Sequence, residues 1–316
     1  MGRYLAILLV TFATAVCGAL GVATAGVALG YYDPEGDELV RERAEQLAGP
    51  PVDIAFLGDS SAGFGVEESV ADVLLGRRTE NLALSGSFGV AGSLEMMRRA
   101  EAALGARVFI IIHTVDILGR RTPVLVPTRA TPPERRSLLQ NVEMALGIIS
   151  PKVLGRIVGS MVAGTPLDLP AAEFYDNQSA PAPLAALVRE IEPERMASVN
   201  PDAVADLQRI ADHCAARDLV CLYAHGPLWA EGCTRFAPAI AARSAIVRGM
   251  ENGSFRLLAD TPFCMPTAIV GNNADHVRPA DDAITTRFYA DLVERALALP
   301  PRRPDAIRKA ELDLPF

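Results

Sequence analysis

The sequence predicts an α/β protein, a doubly wound parallel sheet of about five strands carried behind one N-terminal transmembrane helix. Three observations predict it. Residues Tyr4 to about Tyr31 are apolar and carry no charge. From Val52 onward, short apolar runs alternate with segments whose apolar positions recur at three and four residues. Polar residues collect just after those apolar runs.

The uncharged stretch is long enough for a hydrocarbon core of about 30 Å, which takes roughly 20 helical residues. A signal peptide would meet the same description. The run exceeds an h-region of about 7 to 15 residues, and the small residues of "VATAGVALG" are followed by no polar break, which favours a retained anchor. Arg3 precedes the span and Asp33, Glu35, Asp37 and Glu38 follow it. The positive-inside rule then puts the amino terminus in the cytoplasm. The expectation is a single-pass protein of the inner (cytoplasmic) membrane whose bulk is periplasmic or otherwise extracytoplasmic. Cys17 lies in the span behind "TAV", which lacks the small residue expected ahead of a lipidated cysteine, and the Gly26/Gly30 spacing arises by chance in a span so rich in glycine and alanine.

Residues 33–51 read as a polar linker with a short helix, closed by Gly49, Pro50 and Pro51. The strand candidates are 52–58, 80–84, 107–113, 219–225 and 255–260. Helical periodicity covers 91–104, 201–217 and 237–253, and a last helix precedes residue 298. Strands alternating with helices imply parallel strands joined by right-handed crossovers. Residues 119–200 interrupt the alternation and read as an insertion over one edge of the sheet. Residues 299–316, rich in Pro and Arg, read as a surface tail. The organisation is an anchor over 1–32, the linker, an α/β domain over 52–298 with its insertion, and the tail.

Composition excludes some functions. With 30 basic against 38 acidic residues, a net charge of -8 and no cluster of Lys and Arg, the chain has no electrostatic footprint for nucleic acid. Cys214, Cys221, Cys233 and Cys264 lie outside the span without a CxxC spacing, so they read as disulfide formers and not as a metal site. Cys233 with Cys264 is the first pairing to expect, since both fall in loops near strand ends.

In open α/β sheets ligands bind beyond the carboxyl ends of the strands. There the sequence places Asp59, Ser60 and Ser61, then Ser85, Gly86 and Ser87, then His113, Thr114 and Asp116, then His225, and finally Asp260, Asp275 and His276. Each alone has an ordinary structural reading: Gly-Asp-Ser-Ser is common turn and capping chemistry, His113 closes a very apolar strand, and His225 precedes the turn pair Gly226-Pro227. Together they suit acyl transfer. A serine hydroxyl needs a base within hydrogen-bond reach, and His276, in the loop before the last helix, can fold back over the first strand end. The N–H groups of Ser60 and Gly86 are candidate donors to an oxyanion.

The block "FLGDSSAGFGV", then "NLALSG", the polar break after "VFIII", and "NADHVRP" ahead of the last helix resemble the SGNH, or GDSL-type, hydrolases over about residues 52–298. The resemblance implies a flavodoxin-like SGNH fold with Ser60 as nucleophile, the Ser60 and Gly86 N–H groups as two oxyanion donors and His276 as base. Two positions depart from the pattern. Val115 stands where the family has an asparagine as third oxyanion donor, with Asp116 in step, and Asn273 stands where it has an aspartate three residues before the histidine. Asp260 and Asp275 are the substitutes within the same rim, and a Ser-His dyad or degenerate triad is the expectation. Asp59 would shape the turn, and Asp116, His113 and His225 would line the pocket.

An anchor followed by this domain resembles the membrane-anchored SGNH-like proteins of cell-envelope polysaccharide O-acylation, among them the teichoic acid D-alanyl transfer protein and the alginate acetylation proteins. That narrower resemblance implies a serine acyl-ester transferase or esterase acting on O-acyl groups of an envelope glycan, without metal or organic cofactor, beside a membrane-bound O-acyltransferase. The alternative is a non-catalytic assembly or glycan-binding partner that keeps the fold without the acid of the triad. A simple anchored esterase with water as acceptor is the third reading.

Overall fold

The computed structural model describes residues 2–29, 34–121, 125–148, 151–163 and 193–299. The chain divides into two compact units, one of residues 1–44 with 124–172 and one of residues 45–123 with 173–316.

The first unit is helical. Helix α1 (Gly2–Ala28) is long and apolar enough to cross a membrane, and α2 (Pro34–Gln46) begins within the expected linker. The same unit takes α6 (Val126–Arg129), α7 (Leu138–Ile148) and α8 (Pro151–Ala163) from the expected insertion, and α7 and α8 both pack on α1. Gly26 is where the approach is tightest, because a methyl there would collide with Ile157 of α8. A buried ion pair from Arg136 to Asp37 at 2.6 Å ties the stretch before α7 to α2. Of the expected insertion, residues 125–148 and 151–163 group with the N-terminal helix, whereas 193–200 group with the sheet. The Pro/Ala-rich stretch 169–187 and all but the first residue of the tail lie outside the described residues.

The second unit is built on a five-stranded parallel sheet. Its strands are β1 (Ile54–Gly58), β2 (Thr79–Asn81), β3 (Val108–His113), β4 (Val220–His225) and β6 (Phe255–Leu257), in the order β2-β1-β3-β4-β6. Two-residue strands β5 (Leu228–Trp229) and β7 (Cys264–Met265) form a separate parallel ribbon. The five sheet strands fall on the five apolar runs of the sequence: β1, β3 and β4 start one or two residues later and reach the same carboxyl ends, whereas the edge strands β2 and β6 stop three residues earlier.

Alternation of side chains across the strands sorts the helices onto two faces. Ile54, Phe56, Ile110, Ile112, Leu222 and Ala224 share one face and pack with α3 (Ser60–Gly65), α4 (Glu68–Leu75) and the last helix, α13 (Asp282–Leu297), through Ala62, Leu74, Tyr289 and Val293. Cys221 points to the other face and is bonded to Cys214 of α10 (Pro201–Arg217), which lies there against β4 and β6 beside α5 (Gly89–Leu104), which packs on β1 and β3. Burying both faces explains why the strands read as continuous apolar runs.

The remaining helices, α9 (Pro193–Ala197), α11 (Ala230–Arg235) and α12 (Ala237–Arg248), complete this unit. Cys233 of α11 is bonded to Cys264 of β7, the pairing expected from sequence. Replacing both cysteines of this bridge with alanine is expected to cost roughly 3.5 kcal/mol, because it closes 31 residues, against roughly 2 kcal/mol for the Cys214–Cys221 bridge over 7. Chemical denaturation of the two variants measures both.

Candidate active site

Strand order reverses between β1 and β3, and the crevice beyond their carboxyl ends is where a parallel sheet offers a site. Gly58 ends β1 with φ +150° at a point where any side chain would run into Ile112 O of β3, so the chain must turn here without a Cβ. Asp59 organises the turn. Its Oδ1 accepts from Ser61 N–H at 3.1 Å and Ser61 Oγ–H at 2.6 Å, and its Oδ2 accepts from Thr114 N–H at 2.9 Å. The carboxylate therefore staples the end of β1 to the end of β3 and caps α3 while facing away from Ser60. Burial by itself would raise its pKa, but the nearby His113 ring, the Arg120 guanidinium and the hydrogen bond from Ser61 outweigh it and hold the carboxyl well below its usual range.

Ser60 is the first residue of α3 and is half-buried. Its Oγ–H donates to His276 Nε2 at 2.9 Å, although the two residues stand 216 apart in sequence. On the far side of the ring, Nδ1 donates to Asn272 Oδ1 at 3.0 Å. Because an amide oxygen can only accept, Nδ1 carries the proton and Nε2 presents its lone pair to the serine. Burial pushes the His276 imidazole down to about 4, with Arg120 adding to the shift and Asp59 opposing it. The imidazole is therefore neutral at neutral pH. Phe64, with its ring centroid 4.7 Å from that of His276, supplies part of the apolar surround.

The His276 loop is held from below. Trp229, Met265, Ile269, Val270, Ala274 and Val277 form a small apolar cluster under it, Trp229 N–H donates to Ala274 O, and Gly271 N–H donates to His276 O. The Cys233–Cys264 bridge closes the ribbon to which Trp229 and Met265 belong.

Gly86 arrives beside Asp59 and Arg120 because Leu82 N–H and Leu84 N–H continue the ladder to Phe56 O and Gly58 O past the end of β2. Asn81 fixes both approaches, donating to Ala62 O and Val66 O and accepting from Ala83 N–H. Among the described residues, neither Ser60 N–H nor Gly86 N–H donates to a protein acceptor. A methyl on Gly86 would collide with Arg120 Nη1 and sit 4.0 Å from Asp59 Cβ.

Sequence reasoning missed Arg120, as it missed Asn272. Its Nε and Nη2 bond Asp116, the shortest bond being Nη2 to Oδ1 at 2.8 Å, and Asp116 is itself fixed by Thr114 Oγ–H at 2.7 Å. That fork spends one edge of the guanidinium and leaves Nη1 against Gly86. Beside it opens a cavity of about 1020 Å³ lined by Gly86, Ser87, Gly119, Arg120, Arg121, Arg195, Ala197 and Ser198.

The other predicted residues divide. Asn273 does not orient His276 through its side chain; its carbonyl accepts His276 N–H in the turn that brings Asn272 under the ring. Val115 points into an apolar cluster with Met196, Leu228 and Ile240, away from the crevice. Asp260 pairs with Arg248 at 2.6 Å on the surface and does not reach His276. His113 bonds Ser93 Oγ through Nε2 at 3.1 Å, with its Nδ1 3.5 Å from Asp59 Oδ2, and both partners are buried. His225 bonds Ser244 Oγ at 2.8 Å, and burial with the charge of Arg243 pushes it down to about 4. These two histidines support the rim and do not face Ser60. Among the described residues no group of His, Cys, Asp and Glu is arranged to hold a metal ion.

Asp275 lies beside His276, its Oδ1 3.7 Å from His276 Nε2 and without a hydrogen-bond partner. Burial pushes its carboxyl up to about 8, with Asp59 and Asp116 adding to the shift and Arg120 opposing it. A group raised this far keeps a proton in the folded state that the unfolded chain releases, so stability falls as pH rises from about 4 to about 8. Asp275→Asn is expected to raise the melting temperature near pH 8 and to change it little near pH 4, read by thermal denaturation at the two ends of that window.

A scan against protein-family models matches none, and a search of the curated proteins finds no match to the chain.

Proposed function

We propose that the chain is a membrane-anchored SGNH-like serine enzyme that transfers or hydrolyses O-acyl groups of a cell-envelope glycan outside the cytoplasm. The observation that carries the reading is the Ser60–His276–Asn272 relay at the switch point of the sheet, with two unspent N–H groups and a guanidinium beside it. The order of the five sheet strands, counted among themselves, is the 2-1-3-4-5 of flavodoxin-like doubly wound sheets, which supports the SGNH resemblance. Helix α1 supports the anchor.

In this mechanism Ser60 Oγ attacks the acyl carbonyl while its proton passes to His276 Nε2. The negative charge that forms on the carbonyl oxygen is met by the N–H groups of Ser60 and Gly86 and by Arg120 Nη1, which takes the place of the asparagine that Val115 replaces. Collapse returns the proton from Nε2 to the leaving sugar oxygen and leaves an ester on Ser60. A second hydroxyl, activated by the same nitrogen, then takes the acyl group, whether from a glycan or from water. The three arginines of the adjoining cavity favour an acceptor that carries negative charge.

Full-length protein in detergent, treated with a fluorophosphonate probe and read by intact mass, tests the reading beside Ser60→Ala and His276→Ala. One adduct on the native chain, absent from both variants, is the expected result. No adduct on folded native protein would instead favour the non-catalytic assembly or glycan-binding reading, to which the missing carboxylate on Nδ1 already points.

A further inference from the structure

Large apolar side chains exposed to solvent are concentrated in the helical unit. Beyond α1 and Leu29 they are Leu138, Leu139 and Leu146 on α7 and Val158, Met161 and Val162 on α8, with Leu138 at 75% and Val162 at 82% exposure. Among the described residues of the sheet unit only Val73, Val199 and Ile284 are of this kind, and they are scattered. Isolated apolar residues are ordinary on a protein surface; six of them on two helices packed against the same helix are not.

We infer that α7 and α8 lie in the membrane–water interface as a collar around the exit end of α1, with these side chains dipped into the acyl boundary. The inference rests on the anchor reading of α1. Three observations choose lipid as the occupant. First, α7 and α8 pack directly on α1, and they do so at one end: residues 3–18 of α1 are exposed throughout, whereas Ala23, Gly26 and Val27 are buried. A surface continuous with a membrane span shares its solvent. Second, the helices have 11 and 13 residues, about 17 and 20 Å at 1.5 Å per residue, too short to cross a core that takes roughly 20 residues. Third, the pair carries Glu143, Lys152 and Arg156, charges that are costly at the bilayer centre and ordinary at headgroup level. An interfacial helix needs this mixture of an apolar surface and a few charges, and a transmembrane hairpin does not tolerate it. The end of the unit near α2 is polar, where Arg136 bonds Asp37, and Arg41 bonds Glu134 at 3.1 Å.

Depth-dependent quenching tests the collar in the full chain. On a Cys17→Ser background, Leu139→Cys and Val162→Cys are labelled with an environment-sensitive fluorophore and reconstituted in phosphatidylcholine vesicles whose acyl chains are brominated either close to the headgroup or near the chain end. Leu8→Cys in α1 and Val73→Cys in α4 are the controls. The expected result is quenching of the Leu139 and Val162 probes by the shallow bromines, at least half as strong as that of the Leu8 probe by whichever bromines quench it most, with the Val73 probe unaffected. If Leu139 and Val162 behave like Val73 while Leu8 is quenched, the collar is wrong and the anchor stands. If Leu8 is not quenched either, the anchor fails and takes the collar with it. Probes that remain unquenched in these vesicles, yet are shielded from a water-soluble thiol reagent in native membranes, would show a protein covering the helices and would overturn the lipid assignment.

Discussion

Asn272→Asp is expected to raise kcat/KM for a small neutral ester by about a hundredfold or more. The carbonyl oxygen of Asn272 already accepts from His276 Nδ1 at 3.0 Å, so the geometry of a triad is present and only the charge is missing. Removing that charge from a complete serine triad costs about four orders of magnitude, and adding it here should recover a good part. The sign of the pH effect follows from the same electrostatics. Burial holds His276 down to about 4, so the native enzyme should lose activity only as pH falls through that value. A carboxylate on Nδ1 favours the imidazolium, and an opposite charge this close raises a pKa by about 1 to 3 units. The acid limb of the profile therefore moves up while the plateau rises, because the base becomes stronger at the pH where it works. The profile of kcat/KM against pH for hydrolysis of p-nitrophenyl acetate measures both. A folded variant with an unchanged limb and plateau would mean that His276 is not the base.

The second large effect is a loss. Arg120→Met is expected to lower kcat for the same ester by about 10²–10³-fold, the usual cost of one oxyanion donor, with KM nearly unchanged. Two readouts separate this role from simple anion binding. The substrate is neutral, so an arginine that only holds a charged acceptor would leave its hydrolysis intact. The acid limb should also move up, since Arg120 helps to depress His276 and its removal relieves that. Asp116→Asn loosens the fork that aims the guanidinium and should give a smaller loss in the same direction, while Arg120→Lys, which keeps the charge without the fork, should fall between. An Arg120→Met variant as fast as native protein would return the oxyanion to Ser60 and Gly86 alone.

What could be read from the chain follows from where the information lies. The three central strands are legible because each is buried on both faces and ends where the side chains turn polar, and that same boundary marks the rim on which Ser60 and His276 sit. The edge strands β2 and β6, by contrast, have three residues each and carry Glu80 and an exposed Arg256. The ribbon strands β5 and β7 have two residues each and leave no period to detect. Asn272 was passed over because a spacing of three points to Asn273, whereas the turn closed by His276 N–H on Asn273 O presents the residue before it. Arg120 stands at the start of the presumed insertion, where nothing in sequence tells that its fourth neighbour upstream, Asp116, will aim it at Gly86. The helices α7 and α8 show apolar periodicity, yet periodicity does not say what the apolar side meets; that needed their packing on α1.

The bond between Ser60 and His276 also has a bearing on time. With 216 residues between the partners and synthesis at about 5–20 residues per second, the serine leaves the ribosome roughly 10 to 40 s before its base exists. Throughout that interval the hydroxyl is an ordinary alcohol in an unfinished chain. In the proposed mechanism the nascent protein is therefore chemically silent while it is being made, and the hydroxyl gains reactivity only once almost the whole sheet unit is available to fold.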